Sequence, residues 1–232
     1  MRSEDVPEIR ALPLFAAMAE DVFADLLHGA YLQTMPLQIE LIAEGERPDF
    51  LHVLLEGSVE LFARWKRRET TMAVLGPVTT FILAATITDR PYLMSARTIE
   101  KSRVALVPTE AVRRAFAKDR EFARSIVTEL ATDYRNAVKA GKNVKLRSSL
   151  ERLANYLIRR DLETGGSGAF DLPHEKRLIA SLLGMTPENL SRSFAGLRAY
   201  GVRVDGGAVA IGNRAELERL ARPDPLIDEP ET

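Results

Sequence analysis

The spacing of apolar residues changes twice along this chain, and these changes constrain its fold more than any other feature. Between residues 12 and 30, apolar side chains recur at intervals of three and four, which predicts one helix or two short helices. From Tyr31 to about residue 107, short apolar segments separated by glycines, among them TFILAATI at 80–87, predict antiparallel strands. After Pro108 the helical spacing returns. The chain should therefore be an α+β protein that contains an antiparallel barrel or sandwich.

The composition narrows the class of protein. The 232 residues are 46% hydrophobic and 28% charged, enough to form the core of one large domain or two ordinary domains. No uninterrupted apolar run reaches the roughly 18 residues of a membrane span, and the acidic start lacks the features of a secretory signal. We therefore expect a cytoplasmic protein without membrane partners. The absence of cysteine excludes disulfides, thiolate zinc sites and cysteine-ligated iron–sulfur clusters.

Basic charge is concentrated in the last third of the chain. Residues 143–222 contain 13 lysines and arginines against 9 acidic residues, whereas the whole chain has a net charge of −1. A net positive segment favours an anionic partner, although many ordinary surfaces carry the same charge.

A heptad spacing runs through a helix that follows Pro108. Its intervals of four and three residues are typical of helices that pair with another helix. The same face could instead pack on the barrel of its own chain, because two heptads are too few to define a coiled coil. Gly141 should mark the end of this helix or a hinge. The heptad positions are Ala123, Val127, Leu130, Tyr134 and Ala137.

A second amphipathic helix is predicted within LRSSLERLANYLIRRDLE, residues 146–163. Its apolar face contains Leu153 and Leu157, and Arg152 lies outside that face. The sequence GGSG at 165–168 should end this helix in a flexible turn.

Residues 175–200, EKRLIASLLGMTPENLSRSFAGLRAY, have the pattern of a helix-turn-helix. Apolar residues give the first helix a buried face, and Gly184 permits the left-handed backbone of a tight turn. Thr186 is a favourable N-cap for the second helix, and Pro187 suits its first position. The second helix should bury its apolar residues at intervals of four and three, which are Leu190, Phe194 and Leu197.

The positions of the buried apolar residues on this second helix determine which of its residues face outward. Glu188, Ser191 and Arg192 share the exposed face of its first turns, the part of a recognition helix that meets base edges in the major groove. Arg192 can donate two hydrogen bonds to guanine, and Glu188 can accept one from cytosine. The hydroxyls of Thr186 and Ser191 can reach phosphate or thymine, and Asn189 completes the candidate DNA-binding set. The alternative is an ordinary helix pair in which Glu188 and Arg192 form an exposed ion pair.

Two further segments complete the predicted organisation. Alternating valines on either side of Asp205-Gly206-Gly207 predict a hairpin placed like the wing of a winged helix, and the acidic, proline-rich segment RPDPLIDEPET predicts disorder. We therefore expect a β-rich domain at 1–108, a helical region at 109–142, a winged helix-turn-helix at 143–222 and a disordered tail at 223–232.

Taken in order, these features resemble the CRP/FNR family of bacterial transcription regulators. The resemblance rests on the glycine-containing segment EGERPDFLHVLLEGSVELF, the long helix and the motif GMTPENLSRSFAGLRAYGV. It implies an N-terminal β-roll that senses a signal, a homodimer formed through the heptad face, and RNA polymerase as a partner in activation. The Glu188-x-x-Ser191-Arg192 pattern resembles FNR-type members, which implies a palindromic operator with TTGAT-like half-sites about 10 bp apart.

The predicted sensor domain departs from the cyclic-nucleotide-binding members of that family. Leu83 and Ala84 stand where those members have a Gly-Glu pair, and Met94 stands where they have an arginine that binds phosphate. Arg90 and Arg97 are the possible substitutes, but neither is in register. Because a buried phosphate without a cationic partner is strongly disfavoured, we do not expect cAMP to bind.

An apolar effector pocket is expected instead. Some relatives in this family sense nitric oxide or carbon monoxide through haem, which makes haem a candidate cofactor. The alternatives are an unknown apolar effector, or no effector, with activity set by the abundance of the protein. The residues predicted for this pocket, including the two histidines of the sensor domain, are Phe81, Leu83, Tyr92, Met94, His28 and His52.

These inferences favour a sequence-specific DNA-binding regulator over two other classes of protein. An enzyme is not indicated, because the sequence contains no catalytic-triad spacing, no phosphate-binding glycine loop and no metal-ligand cluster. An interaction module that kept the fold without binding DNA would have no need for Glu188 and Arg192 on one exposed face.

Overall fold

The computed structural model describes residues 5–229, and the chain divides into two compact units, Met1–Thr132 and Asp133–Thr232. The division falls inside one long helix, within the helical region expected at 109–142. No helix among the described residues is both long and apolar enough to cross a membrane.

The first unit combines helices with two antiparallel sheets. The strand orders are β1-β8-β3-β6 and β2-β7-β4-β5. The elements are α1 (Val6–Arg10), α2 (Glu20–Leu27), β1 (Tyr31–Met35), β2 (Glu40–Ile42), β3 (Phe50–Glu56), β4 (Val59–Trp65), β5 (Arg68–Leu75), β6 (Thr79–Phe81), α3 (Leu83–Thr88), β7 (Ser95–Thr98), β8 (Ser102–Pro108), α4 (Thr109–Lys118) and the first part of α5 (Arg120–Leu146).

Strand β3 is buried on both faces and joins the two cores of this unit. Leu51, Val53 and Leu55 pack with the helices, whereas Leu54 packs with residues of the other sheet. The turn after β3 requires glycine. Gly57 has φ +87°, and a Cβ there would lie 2.5 Å from the carbonyl oxygen of Lys101. The alternating pattern and the glycine therefore predicted this part of the β-roll correctly.

The segment TFILAATI was predicted as a strand, and this prediction is wrong for most of its length. Strand β6 ends at Phe81, Ile82 adopts a left-handed backbone with φ 65°, and α3 begins at Leu83. The hydroxyl of Thr88 donates to the carbonyl of Ala84 at 2.7 Å, a hydrogen bond that these two residues can form because they lie one helical turn apart.

Helix α5 runs for 27 residues without interruption at Gly141, so the end or hinge predicted there is wrong. One glycine costs a helix only about 1 kcal/mol, which the flanking turns can offset. Asp119 fixes the start of α5, because its carboxylate accepts hydrogen bonds from the backbone N–H groups of Phe122 and Ala19, each at 2.8 Å.

The second unit is built around α6, whose Leu153 and Leu157 are fully buried. Its three-stranded sheet has the order β10-β11-β9, so the predicted wing gains a third strand. The elements after α5 are α6 (Ser149–Glu163), β9 (Ala169–Asp171), α7 (Lys176–Leu182), α8 (Pro187–Leu197), a 3-10 turn (Arg198–Tyr200), β10 (Val202–Asp205), β11 (Ala208–Ile211), α9 (Arg214–Ala221) and α10 (Pro225–Asp228).

Arg152 on α6 was predicted to be outside the apolar face, but it is only 8% exposed. Its guanidinium donates hydrogen bonds to the carbonyls of Val144 (3.2 Å), Arg147 (2.7 Å) and Gly184 (3.4 Å). The last carbonyls of a helix have no partner within the helix, so a cation at the end of α5 is stabilising. Arg152 is therefore buried because its guanidinium binds these carbonyls, which only the tertiary structure brings beside it.

The tail was predicted to be disordered from residue 223, and the structure corrects this as far as residue 229. Residues 225–228 form α10, and the Asp224 side chain accepts a hydrogen bond from the backbone N–H of Leu226 at 2.8 Å. The carboxylate of Asp228 is paired with Arg147. The last three residues of the predicted tail lie outside the described part of the chain.

Candidate nucleic-acid interface

The helix-turn-helix consists of α7, a tight turn and α8. Gly184 in the turn has φ +62°, and a Cβ there would approach a methyl group of Val144 to 3.3 Å. The N–H of Met185 donates to the carbonyl of Ala180 at 2.9 Å, which closes the end of α7. The turn therefore requires glycine for its backbone conformation, and the close neighbour leaves little room for a side chain.

The start of α8 has the predicted cap. The hydroxyl oxygen of Thr186 accepts a hydrogen bond from the N–H of Asn189 at 3.3 Å, and Pro187 occupies the first turn. The predicted inward residues are also confirmed, since Leu190, Phe194 and Leu197 are all buried. The burial of these anchors fixes the rotation of α8 about its axis.

The predicted outward residues lie on one exposed surface. Glu188, Ser191 and Arg192 are exposed, whereas Asn189 is half-buried. The guanidinium of Arg192 donates a hydrogen bond to the side-chain oxygen of Asn189.

The carboxylate of Glu188 is kept ionised. A hydrogen bond from the Thr186 hydroxyl is the main cause that holds the pKa of Glu188 below its ordinary value, with smaller contributions from a backbone N–H and from the charge of Arg192. An ionised carboxylate can only accept hydrogen bonds. Glu188 is therefore suited to the amine edge of a cytosine and repels phosphate.

Further basic residues near the helix-turn-helix were not singled out from the sequence. Lys176 and Arg177 are exposed at the start of α7, and Arg203 is exposed on β10 of the wing. The ammonium group of Lys176 lies 5.7 Å from the ring centre of Phe194, one of the buried residues of α8. The local excess of basic charge was the only sequence signal for these candidate phosphate contacts.

Comparisons with known proteins agree with this architecture. Residues 36–119 match the family model of the cyclic nucleotide-binding domain, and residues 151–220 match that of the Crp-like helix-turn-helix domain. The first match runs from β2 through α4, and the second covers most of the segment from α6 through α9. The chain belongs to the CRP/FNR family of transcription regulators.

Individual CRP/FNR relatives are distant in sequence. A protein of Rhizobium leguminosarum bv. viciae named "Probable transcriptional activator" is 25% identical over 191 residues, which cover 78% of this chain and 77% of the relative. A solved structure from Silicibacter pomeroyi, described as a cAMP-binding regulatory protein, is 26% identical with TM-score 0.58, covering 96% of this chain and 100% of the other. A Crp/Fnr regulator from Eubacterium rectale shares the fold alone, with 16% identity, TM-score 0.74 and coverage of 91% and 98%.

The first unit of this CRP/FNR regulator does not bring together all the residues predicted for an effector pocket. Phe81, Tyr92 and Met94 belong to the cluster between the two sheets, whereas Leu83 belongs to the cluster beneath the helices. His28 is exposed after the end of α2. The pocket prediction failed to separate these two cores, because apolar character alone does not show which face of the sheet a residue occupies.

Arg97, a possible phosphate-binding substitute in this CRP/FNR regulator, already has protein partners. Its guanidinium lies 2.6 Å from the buried carboxylate of Glu60 and 2.8 Å from that of Glu69. It also lies 4.3 Å from the ring centre of Phe62. Binding a phosphate there would leave the buried Glu60 without its cation, which is strongly unfavourable. Arg90 remains exposed.

His52 is buried in β3, and its ring centre lies 5.2 Å from that of Phe81. Its Nδ1 atom has no hydrogen-bond partner among the described residues. Burial lowers the pKa of His52 from 6.5 to about 4, against the smaller raising effect of a hydrogen bond to the Phe50 backbone. The imidazole is therefore neutral at physiological pH.

Acidification should destabilise the protein through His52. The folded-state pKa of about 4 lies below 6.5, so the unfolded chain binds a proton first and stability is lost between pH 6.5 and pH 4. We expect His52→Gln to reduce the loss in unfolding free energy between pH 7 and pH 5 by about 2 kcal/mol. Urea denaturation at both pH values measures this difference. The exposed His28→Gln variant should keep the wild-type loss, and an equal loss in His52→Gln would contradict the assignment.

Proposed function

We propose that this CRP/FNR regulator is a non-enzymatic, cytoplasmic, homodimeric transcription activator that binds palindromic operators with TTGAT-like half-sites. The observation that carries the proposal is the exposed surface of Glu188, Ser191 and Arg192, which the buried anchors of α8 hold in place. The name of the Rhizobium relative supports activation, for which RNA polymerase is the proposed partner.

Sequence readout would come from the first turns of α8 in the major groove. Arg192 would donate two hydrogen bonds to the O6 and N7 atoms of a guanine, and Glu188 would accept one from the N4 amine of a cytosine. The side chain of Asn189 accepts a hydrogen bond from the guanidinium of Arg192 in this structure, which restricts the conformations of that guanidinium before DNA binds. Lys176, Arg203 and the Ser191 hydroxyl would contact phosphates and set the register.

The heptad face of α5 supports the homodimer. Val127 and Tyr134 are 60% and 72% exposed, and Ala137 is also exposed. Leu130 and Ala123 are half-buried, and Leu130 packs against the core of the first unit. Large apolar side chains spaced seven residues apart on a helix are stabilised when a second helix covers them. A second copy of α5 is the proposed partner for this face.

The proposed signal is a ligand other than cAMP. Arg97 is held by two carboxylates, and Leu83 is a core residue where other members have a glycine. Haem is the second candidate for the signal-binding group, because the buried His52 has an Nδ1 atom without a hydrogen-bond partner among the described residues. A regulator that is controlled by abundance alone, with no ligand, is the alternative.

Arg192→Ala should weaken binding to the preferred operator by about 1 to 3 kcal/mol and relax the base preference at one position of each half-site. The reason is the loss of a bidentate contact to a base. Fluorescence anisotropy with specific and scrambled duplexes at fixed salt measures both effects. Arg219→Ala, which removes an exposed arginine on α9, is the matched control. Equal losses on specific and scrambled DNA would rule out base reading by Arg192.

Val127→Glu should convert the dimer into monomers, because it places a charge in the proposed seam without disturbing the packing within the chain. Val127 is a sharper site than Leu130, which also contributes to the core of the first unit. Sedimentation velocity measures the outcome. Thr128→Glu adds the same charge at the neighbouring exposed position and should remain dimeric. A dimeric Val127→Glu variant would place the interface elsewhere.

The signal can be tested by ligand titration. Cyclic AMP should leave the melting temperature unchanged, since a ligand that binds the native state raises it. Hemin should give a Soret band that His52→Gln shifts and His28→Gln leaves alone if haem is the cofactor. A hemin spectrum without a Soret band would rule out haem as the cofactor. A rise in melting temperature with cAMP would overturn the proposal that the signal is a different ligand.

A further inference from the structure

The C-terminal segment, residues 223–229, lies against the junction between α5 and α6. Helix α5 ends at Leu146, and Ser148 caps the start of α6, so Arg147 stands between the two helices. Its guanidinium donates two hydrogen bonds to the carboxylate of Asp228, each at 2.6 Å. The side chains of Arg147 and Asp228 are only 8% and 25% exposed. This bidentate pair therefore joins the end of the chain to the junction.

Other contacts place the C-terminal segment along α5. The ammonium group of Lys139 donates to the carbonyl of Glu229 at 2.7 Å, and that of Lys142 donates to the carbonyl of Leu226 at 3.3 Å. The backbone N–H of Asp224 donates to the carboxylate of Asp228 at 2.7 Å, which orients it toward Arg147. The segment is thus held at several points on the last turns of α5.

The pair of Arg147 and Asp228 is ionised at neutral pH. Burial by itself would raise the pKa of Asp228, but the hydrogen bonds from Arg147 and from the Asp224 backbone outweigh it and hold the pKa below its ordinary value. Removing the carboxylate would leave the buried guanidinium of Arg147 without its anion. Loss of the pair would also release the C-terminal segment from Arg147 at the junction.

The same junction is connected to the helix-turn-helix. Arg152 of α6 donates to the carbonyl of Arg147 at 2.7 Å and to the carbonyl of Gly184 at 3.4 Å. Val144, in the last turn of α5, packs against Gly184. A change in the angle between α5 and α6 would therefore move the turn that precedes α8.

We infer that Asp228 is a positioning residue for DNA recognition, which acts through Arg147 to fix the angle between α5 and α6 and so the placement of α8. The inference rests on the proposed function, in which two copies of α8 read one palindrome. Each copy must then present α8 at a fixed separation from the other. Freedom at the junction would widen the range of half-site spacings that the dimer accepts.

The spacing of the operator tests this role. Inserting one base pair between half-sites separates them by 3.4 Å and rotates them by roughly 35°. We expect this insertion to weaken binding of the wild-type protein by about tenfold, and that of Asp228→Asn by less than about threefold. Glu229→Gln is the matched control, because the hydrogen bond from Lys139 is accepted by the backbone carbonyl of Glu229, which the substitution leaves in place. A purely structural role would lower the affinity for both operators equally and leave this ratio unchanged.

A second measurement does not involve DNA. The backbone N–H groups of Glu151 and Arg152 donate to Ser148 at the start of α6. Their hydrogen exchange should be about tenfold faster in Asp228→Asn and unchanged in Glu229→Gln. Arg147→Gln should give the same acceleration, and the double variant should add nothing to it.

The two measurements separate the possible failures. If the wild-type protein binds no palindrome, the proposed function fails, and the exchange rates still show whether Asp228 holds the junction. If the protein binds DNA but Asp228→Asn keeps the wild-type spacing ratio, the inference is overturned and the proposed function stands. Unchanged exchange in Asp228→Asn would also overturn it.

Discussion

The burial of one face of α8 is the constraint on which DNA recognition depends. Leu190, Phe194 and Leu197 are enclosed by the core that α6 organises. Because successive residues of a helix are separated by a fixed angle, this burial also decides which residues face outward. The polar face that begins at Glu188 is therefore set by apolar packing, and its own side chains need contribute little to stability.

The family match and the side chains of the first unit support different conclusions about the binding of cyclic nucleotides. Residues 36–119 match a cyclic nucleotide-binding domain as a fold. Inside that fold, however, the carboxylates of Glu60 and Glu69 hold the guanidinium of Arg97, and Leu83 is buried in the core. The fold supplies a frame that can respond to a ligand, while the side chains decide which ligand can enter. We therefore assign the family from the fold and leave cAMP out of the proposed function.

Local chemistry made the helix-turn-helix predictable from sequence. The cap at Thr186, the proline that follows it and the glycine of the turn each act within a few residues, and the structure contains all three. The wing was predictable for the same reason, because its turn and alternating strands are encoded together. The additional strand β9 was missed, since its pairing partner is distant in the sequence.

Features that depend on distant partners could not be predicted. From the sequence alone, Arg152 is predicted to be a surface residue. In the structure its guanidinium binds carbonyls at the end of α5. The composition of the final segment predicts disorder. In the structure, however, Asp228 accepts hydrogen bonds from the buried Arg147, which lies 81 residues earlier in the chain. Helix α3 was mistaken for a strand because short apolar runs do not distinguish the two. For Arg152 and the final segment the deciding interaction is tertiary, and it lies outside any local window of sequence.

Selection of bound DNA from a random library by the full-length protein tests the central claim most directly. If two copies of α8 read DNA as proposed, the enriched sequences will contain an inverted repeat of TTGAT-like half-sites with centres about 10 bp apart. Enrichment of a single unrepeated motif, or of no motif above the starting library, would contradict the account.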